Sequence, residues 1–197
     1  MNKGDIAELK EDICFDYYFD GRELVFYSTW GLFSPRDIDS GTRLILKYLE
    51  GEVAEDDVSL DLGCGYGPIG MALAHMSPEG EIHMVDKDFL AVEYANKNAK
   101  ANGFDNCKAY LSNGFSAIPE DVVFDNVISN IPAKVGAELL TIFLEDAKSR
   151  LKPGGKIYVI VVNGLKDFIK RNFKEVFGNY KKLKQGKTHT VAMAIKE

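Results

Sequence analysis

An apolar run that ends in an acid and then opens into three alternating glycines constrains this chain more than any other segment. Residues 58–67 read Val-Ser-Leu-Asp-Leu-Gly-Cys-Gly-Tyr-Gly, and a helical pattern starts at Pro68. Glycines at this spacing let the backbone turn sharply and approach a ligand closely at the mouth of a parallel sheet. A second apolar run, Glu81 to Val85, ends in another acid, Asp86. Twenty-one residues separate Gly65 from Asp86, a spacing that suits a carboxylate holding a ribose diol at the end of the next strand.

Dinucleotide enzymes use a similar loop, but its detail here favours another ligand. A pyrophosphate loop reads G-x-G-x-x-G, whereas the third position in this chain is Pro68. A carboxylate at Asp61, beside the loop, would also repel a diphosphate. Two acids flanking glycine turns suit a ligand with a cationic end and a ribose, which points to S-adenosylmethionine with its ammonium, sulfonium and diol. The plain alternative is a loop that only closes a strand-to-helix connection, with Asp61 as a helix-capping acid.

From Val58 onward, strand-like and helix-like segments alternate, as in a doubly wound α/β sheet. The expected strands are 58–62, 81–86, 107–111, 124–129 and 155–162, and the expected helices are 68–76, 88–102, 136–151 and 165–177. Lys152-Pro153-Gly154-Gly155 supplies breakers after the third helix, and Ile157–Val162 is an unbroken apolar run fit for a strand buried on both faces. Residues 180–184 and 190–195, joined by Gln185-Gly186-Lys187, read as a closing hairpin. Runs 12–19 and 22–28 around Asp20-Gly21 read as an N-terminal hairpin, followed by a loop from Trp30 to Pro35 and a helix at 40–50. The expected architecture is a Rossmann-like, mostly parallel seven-stranded sheet with an antiparallel C-terminal hairpin and a small N-terminal β-hairpin extension. Residues 1–39 form the appendage and 40–197 the ligand-binding domain.

A chain of 197 residues with 46% hydrophobic content is expected to fold around a sizeable core. The sequence offers neither a membrane span nor a signal-peptide pattern. Cys14, Cys64 and Cys107 lack metal-ligand spacing and imply reduced thiols in a cytoplasm, with Cys64 filling a small-residue position in the loop. His75, His83 and His189 are isolated, so no metal site is expected. The net charge of −6 does not advertise a nucleic-acid binder, but residues 166–187 carry seven lysines and Arg171 against Asp167 and Glu175. Such a basic edge, including Lys181, Lys182 and Lys184, can contact phosphates; the alternative is a solvated face and a lysine-protected hairpin.

Further motifs carry a resemblance. These are Gly31-Leu32-Phe33-Ser34, Asp39-Ser40-Gly41-Thr42-Arg43-Leu44-Ile45, and Leu60-Asp61-Leu62-Gly63-Cys64-Gly65-Tyr66-Gly67-Pro68-Ile69-Gly70. Asp86, Ser112-Asn113-Gly114-Phe115 and Ile128-Ser129-Asn130-Ile131-Pro132 complete the set. Together they resemble the class I S-adenosylmethionine-dependent methyltransferases, in the "small domain" branch that includes RsmC-type enzymes methylating guanine N2 in ribosomal RNA. The resemblance implies that Asp61 and the loop Gly63, Cys64, Gly65 and Gly67 hold the methionine end. It puts Asp86 with Lys87 at the ribose, and Asn113 with Gly114 beside the adenine. The family usually has Asp where this chain has Asn113, whose side-chain oxygen still accepts from an adenine amine without charge assistance.

The same resemblance makes Asn130, Ile131 and Pro132 the catalytic loop, with Asn130 also bordering the cofactor. The family pattern is Asn-Pro-Pro followed by an aromatic or aliphatic residue, and this chain reads Asn130-Ile131-Pro132-Ala133. An amine conjugated to a base is a poor nucleophile. Hydrogen bonds from it to the asparagine oxygen and a backbone carbonyl aim its lone pair at the methyl sulfonium. Ala133 cannot stack on a flipped base, so Phe33 or Trp30 is the candidate to supply that face. The implied substrate is ribosomal RNA or a pre-ribosomal particle; oligomeric state is not encoded in any visible pattern. Methylation of a small molecule or a protein side chain is the alternative, as is a non-catalytic cofactor-binding relative with a decayed loop.

Overall fold

The structure is a computed structural model describing residues 6, 8–133 and 135–197. Strands β1 (Ile13–Phe19) and β2 (Arg22–Ser28) form an antiparallel hairpin. Asp20 and Gly21 at its turn both take positive φ, 42° and 77°, and this twist matches that of the flanking strands. Seven further strands follow: β3 (Ser59–Leu62), β4 (Ile82–Asp86), β5 (Cys107–Leu111), β6 (Phe124–Asn130), β7 (Leu151–Val162), β8 (Lys181–Gln185) and β9 (His189–Ile195). They form one sheet in the order β5-β4-β3-β6-β7-β9-β8, parallel except that β9 runs against both of its neighbours. The helices are α1 (Ser40–Leu49), α2 (Pro68–Met76), α3 (Phe89–Ala101), α4 (Ala137–Arg150) and α5 (Lys166–Phe177). Among the described residues no helix is long and apolar enough to cross a membrane.

The chain steps outward from β3 to β5 and then returns to β6 on the opposite side of β3. That reversal opens a crevice at the carboxyl ends of β3 and β6, the usual place for a ligand in an open α/β sheet. The unbroken apolar run of β7 divides between the two faces. Tyr158 and Ile160 pack with α1, α2, α3 and the hairpin, while Ile157, Val159 and Val161 pack with α4 and α5.

One expected boundary is corrected. Lys152-Pro153-Gly154-Gly155 does not form a loop between helix and strand, because β7 starts at Leu151, directly after α4. The register instead slips from Phe124 opposite Leu151 to Asn126 opposite Lys156, so the breakers occupy a bulge. A bulge tolerates the missing N–H of Pro153, and Gly154 takes φ 81° there while donating to the Lys196 carbonyl at 2.7 Å.

The N-terminal hairpin is held by side-chain amides of α3 and its C-cap, Asn102. Asn102 exchanges two hydrogen bonds with the backbone of Val25, at 2.9 and 2.8 Å, and Asn98 exchanges two with Tyr27, at 2.7 and 2.9 Å. Four helical residues rise about 6 Å and two strand residues about 6.8 Å, so amides at i and i+4 meet peptides at i and i+2. Asn98 also donates to the Tyr66 carbonyl of the glycine loop at 2.8 Å. On another side of α3, Asn96 exchanges a similar pair with Ala109 of β5, at 3.0 and 2.9 Å. Replacing Asn98 with Ala strands the N–H and C=O of Tyr27 and the carbonyl of Tyr66. It should therefore lower stability by about 2–4 kcal/mol in urea denaturation. A loss below about 0.5 kcal/mol would mean that water takes over these contacts.

Candidate active site

The glycine loop bridges the ends of β3 and β4. Gly63, Gly65 and Gly67 all have positive φ, at 79°, 55° and 92°, a conformation that residues with a Cβ rarely adopt. The Val85 carbonyl accepts from both Gly63 and Cys64, at 2.8 and 3.0 Å, and the Asp86 carboxylate accepts from the Gly65 N–H at 2.9 Å. Pro68 then opens α2 at a position where its missing N–H costs nothing. Helix α2 and strand β4 approach closely at Gly70, where a Cβ would lie 2.3 Å from the Met84 sulfur. In dinucleotide loops the third glycine permits close helix packing; here Gly70, two residues after Pro68, takes that task. Its signal in the sequence is a glycine inside an otherwise apolar helical pattern.

The two acids that flank the loop differ in their surroundings. Asp61 is only 1% exposed and lies beneath the loop. Its Oδ2 accepts from the Gly70 N–H at 2.9 Å, a contact in the first turn of α2 of the helix-capping kind, while its buried Oδ1 has no partner. Burial pushes this carboxyl up to about 7; the Gly70 N–H opposes the shift and the Asp86 charge adds to it. Asp86 is half-buried, and its Oδ1 accepts from the Asp88 N–H at 3.0 Å, so the carboxylate is fixed while retaining free lone pairs. Lys87 and Asn113 are exposed and Gly114 is buried against Phe143. Two residues that the sequence did not single out flank Asp86: Phe89 at the start of α3, 67% exposed, and Leu111, its register partner on β5, 53% exposed. Large apolar side chains left open beside a fixed carboxylate form an apolar rim for a flat ring. Cys64 is buried, and burial raises its thiol well above the ordinary range, which suits a packing role.

Asn130 ends β6, and its Nδ2 lies 3.2 Å from both carboxylate oxygens of Asp39 and 3.0 Å from the Thr42 hydroxyl. Ile131 donates its N–H to the Ile160 carbonyl at 2.9 Å, extending the β6–β7 ladder by one residue. A proline at that position could not make this bond, so the ladder supplies rigidity that the sequence pattern lacked. Pro132 and Ala133 are exposed.

Residues 29–38 run from the hairpin to Asp39 beside this site. The Tyr66 hydroxyl lies 3.2 and 3.3 Å from the carbonyls of Ser34 and Asp37, which fastens the segment to the glycine loop. Of the two aromatic candidates, Trp30 carries the Arg36 guanidinium on its ring, 4.4 Å from the centroid. Phe33 is 75% exposed and presents the more open face.

The basic edge divides. Lys181 faces α1, in a hollow with Glu52, Lys156 and Tyr158. Lys182 faces α5, in a cleft of about 180 Å³ with Lys166, Lys170 and Tyr180. Successive strand residues point to opposite faces, and a register shift between Lys182 and Lys184 breaks the pattern further. The fold therefore parts Lys181 from Lys182 and joins Lys182 to Lys166 and Lys170 of the same basic segment.

A profile of the family described as "Methyltransferase small domain" matches residues 23–193. The Bacillus subtilis protein YbxB, itself uncharacterized, is 35% identical over 140 residues, covering 71% of this chain and 69% of that one. Ribosomal RNA small subunit methyltransferase C of Shewanella loihica is 35% identical over 164 residues, 78% of this chain and 45% of that one. Among solved structures, the T. thermophilus 16S rRNA guanine-N2 methyltransferase RsmC, in complex with AdoMet and guanosine, superposes with a TM-score of 0.85 at 29% identity. That match covers 94% of this chain and 51% of the other. The chain thus spans about half the length of the ribosomal RNA methyltransferases it matches.

The buried carboxyl of Asp61 has a consequence for stability. Its folded-state pKa, about 7, lies above the ordinary 3.8, so its stabilising contribution is complete below about pH 4 and is lost as pH rises through 7. Asp61→Asn, neutral throughout, should gain about 2–3 kcal/mol relative to the unmodified protein between pH 5 and pH 8.5 in urea denaturation. Parallel stability curves for the two proteins would show that Asp61 ionises without penalty.

Proposed function

The chain belongs to the methyltransferase small domain family, and from that membership we propose that it transfers a methyl group from S-adenosylmethionine to the exocyclic N2 amine of guanine in ribosomal RNA. The donor fits the residues present. The orphaned Asp61 Oδ1 provides a buried acceptor below the loop for the cationic methionine end. Asp86 retains lone pairs for the ribose hydroxyls, with Lys87 beside it. Phe89 and Leu111 offer apolar contact for the adenine, and Asn113 with Gly114 borders its amine. When bound, S-adenosylmethionine supplies an electrophilic methyl on a sulfonium.

The orientation of Asn130 is the observation that carries the reading. Its amide nitrogen is held by Asp39 and Thr42, so its oxygen is left to accept an N–H of the substrate amine. A backbone carbonyl of the 130–132 loop takes the other N–H, and the amine lone pair then points at the methyl. The proton is released to water after transfer, so no strong general base is required. Phe33 supplies a face for the base. The cleft of Lys166, Lys170 and Lys182, with Lys184 on β8 and Lys187 in the β8–β9 turn, receives the RNA phosphates. This turn packs at the carboxyl end of β7, through Asn163 to the carbonyls of Gly186 and Lys187 at 3.2 and 2.9 Å, on the edge of the sheet that carries Asn130. Lys181, on the opposite face, is left out of that track. The substrate is taken as free ribosomal RNA or a pre-ribosomal particle in the cytoplasm.

An amine on a protein side chain or small metabolite is the second reading, favoured by the net charge of −6 and by Ala133 where a stacking residue is expected. Tritiated methyl donor, incubated with RNA from a strain lacking this protein and followed by nucleoside analysis, tests the choice. Labelled N2-methylguanosine supports ribosomal RNA, whereas label confined to protein or metabolites moves the assignment to the second reading. Asp86→Ala should weaken cofactor binding by about 2 kcal/mol or more in calorimetry, and unchanged affinity would remove Asp86 from the site. With RNA as acceptor, affinity should fall steeply with added salt, and the triple variant K166E/K170E/K182E should flatten that dependence. An unaltered salt slope would clear the cleft of phosphate contact.

A further inference from the structure

We infer that Asp39 is a positioning residue for methyl transfer: from the N-cap of α1 it fixes which end of the Asn130 amide meets the substrate amine. The inference rests on the role proposed for Asn130. An asparagine amide has two donors on its nitrogen and acceptor capacity on its oxygen, and rotation by half a turn exchanges them. A carboxylate only accepts. Both Asp39 oxygens lie 3.2 Å from the Asn130 nitrogen, so the orientation with the amide oxygen turned toward Asp39 would set acceptor against acceptor. The Thr42 hydroxyl, itself buried, takes a third contact at 3.0 Å.

Asp39 is in turn held by the helix it caps. Its Oδ1 accepts from the N–H groups of Gly41 and Thr42, at 2.8 and 3.2 Å, where the positive end of the helix dipole favours a carboxylate. Close approach of α1 to the sheet makes this possible. A Cβ at Gly41 would lie 3.1 Å from Ile160 and 3.3 Å from His189, so glycine lets the first turn of α1 settle against β7 and β9. The segment Asp39-Ser40-Gly41-Thr42 is thereby a device that presents a single acceptor at the end of β6. The negative charge behind the amide also polarises it, making its oxygen a better acceptor as positive charge develops on the amine.

Asp39→Asn tests this, because asparagine caps helices as well as aspartate does. Its own oxygen must still face the Gly41 N–H, which turns its nitrogen toward Asn130 and drives the Asn130 amide to flip. Turnover of tritiated methyl groups onto deproteinised ribosomal RNA from a strain lacking the protein should fall on the order of 100-fold. Melting temperature and calorimetric affinity for sinefungin should stay near those of the unmodified protein. The double variant D39N/N130D restores a donor facing an acceptor and again presents an oxygen to the amine, so it should recover at least about tenfold over D39N. A merely structural role for Asp39 predicts no such rescue. Full activity in D39N alongside an inactive N130A, or a double variant no better than D39N, overturns the inference and leaves the role of Asn130 standing. An active N130A instead overturns the proposed mechanism itself.

Discussion

The end of β4 holds the glycine loop in shape, and the rest of the crevice depends on that attachment. The Val85 carbonyl takes two loop N–H groups and the Asp86 carboxylate takes a third. These bonds compensate the loop for conformations that residues other than glycine rarely adopt. With the loop fixed, α2 can pack against β4 at Gly70, and its first-turn N–H falls onto the buried Asp61. A single acid at the tip of β4 thus helps to shape the loop and, through it, the seating of α2 over Asp61.

Much of this was legible because the relevant signals are local. An apolar run ending in an acid marks β3 and β4, Asp20-Gly21 marks its own turn, and the run in β7 announces burial on both faces. Other features depend on residues far apart in the chain. Nothing near Asp61 in the sequence shows that the fold buries it under the loop. Pro153 and Gly154 read as a connection because nothing nearby shows that a bulge absorbs them. The lysines of β8 read as one patch because their division depends on strand pleat and a register shift. Asn98 and Asn102 carry no readable signal at all, since their partners are more than seventy residues away.

The 130–132 loop, proposed above as catalytic, shows how one structural requirement can be met by different means. Where the family pattern uses a first proline to stiffen the chain, this protein uses Ile131, whose N–H continues the ladder to Ile160. The asparagine is held through Asp39 and Thr42, ninety-one and eighty-eight residues earlier in the chain. Departure from the motif at Ile131 is therefore compatible with an ordered site, because the order comes from the sheet and from the cap of α1.

The asparagines of α3 and its C-cap also occupy strand edges that would otherwise stay unpaired. β2 and β5 each present peptide groups along an outer edge, and such edges are templates on which another chain can add a strand. Asn98 and Asn102 occupy peptides of the first edge, and Asn96 occupies one on the second, each offering a donor and an acceptor as a neighbouring strand would. One helix thereby seals two borders with short, non-propagating substitutes for a strand. The far border of the large sheet is guarded differently, by the charges and broken register of β8. Those margins are thus closed by amides and ammonium groups, while the loop before α1 leaves the rings of Trp30 and Phe33 exposed.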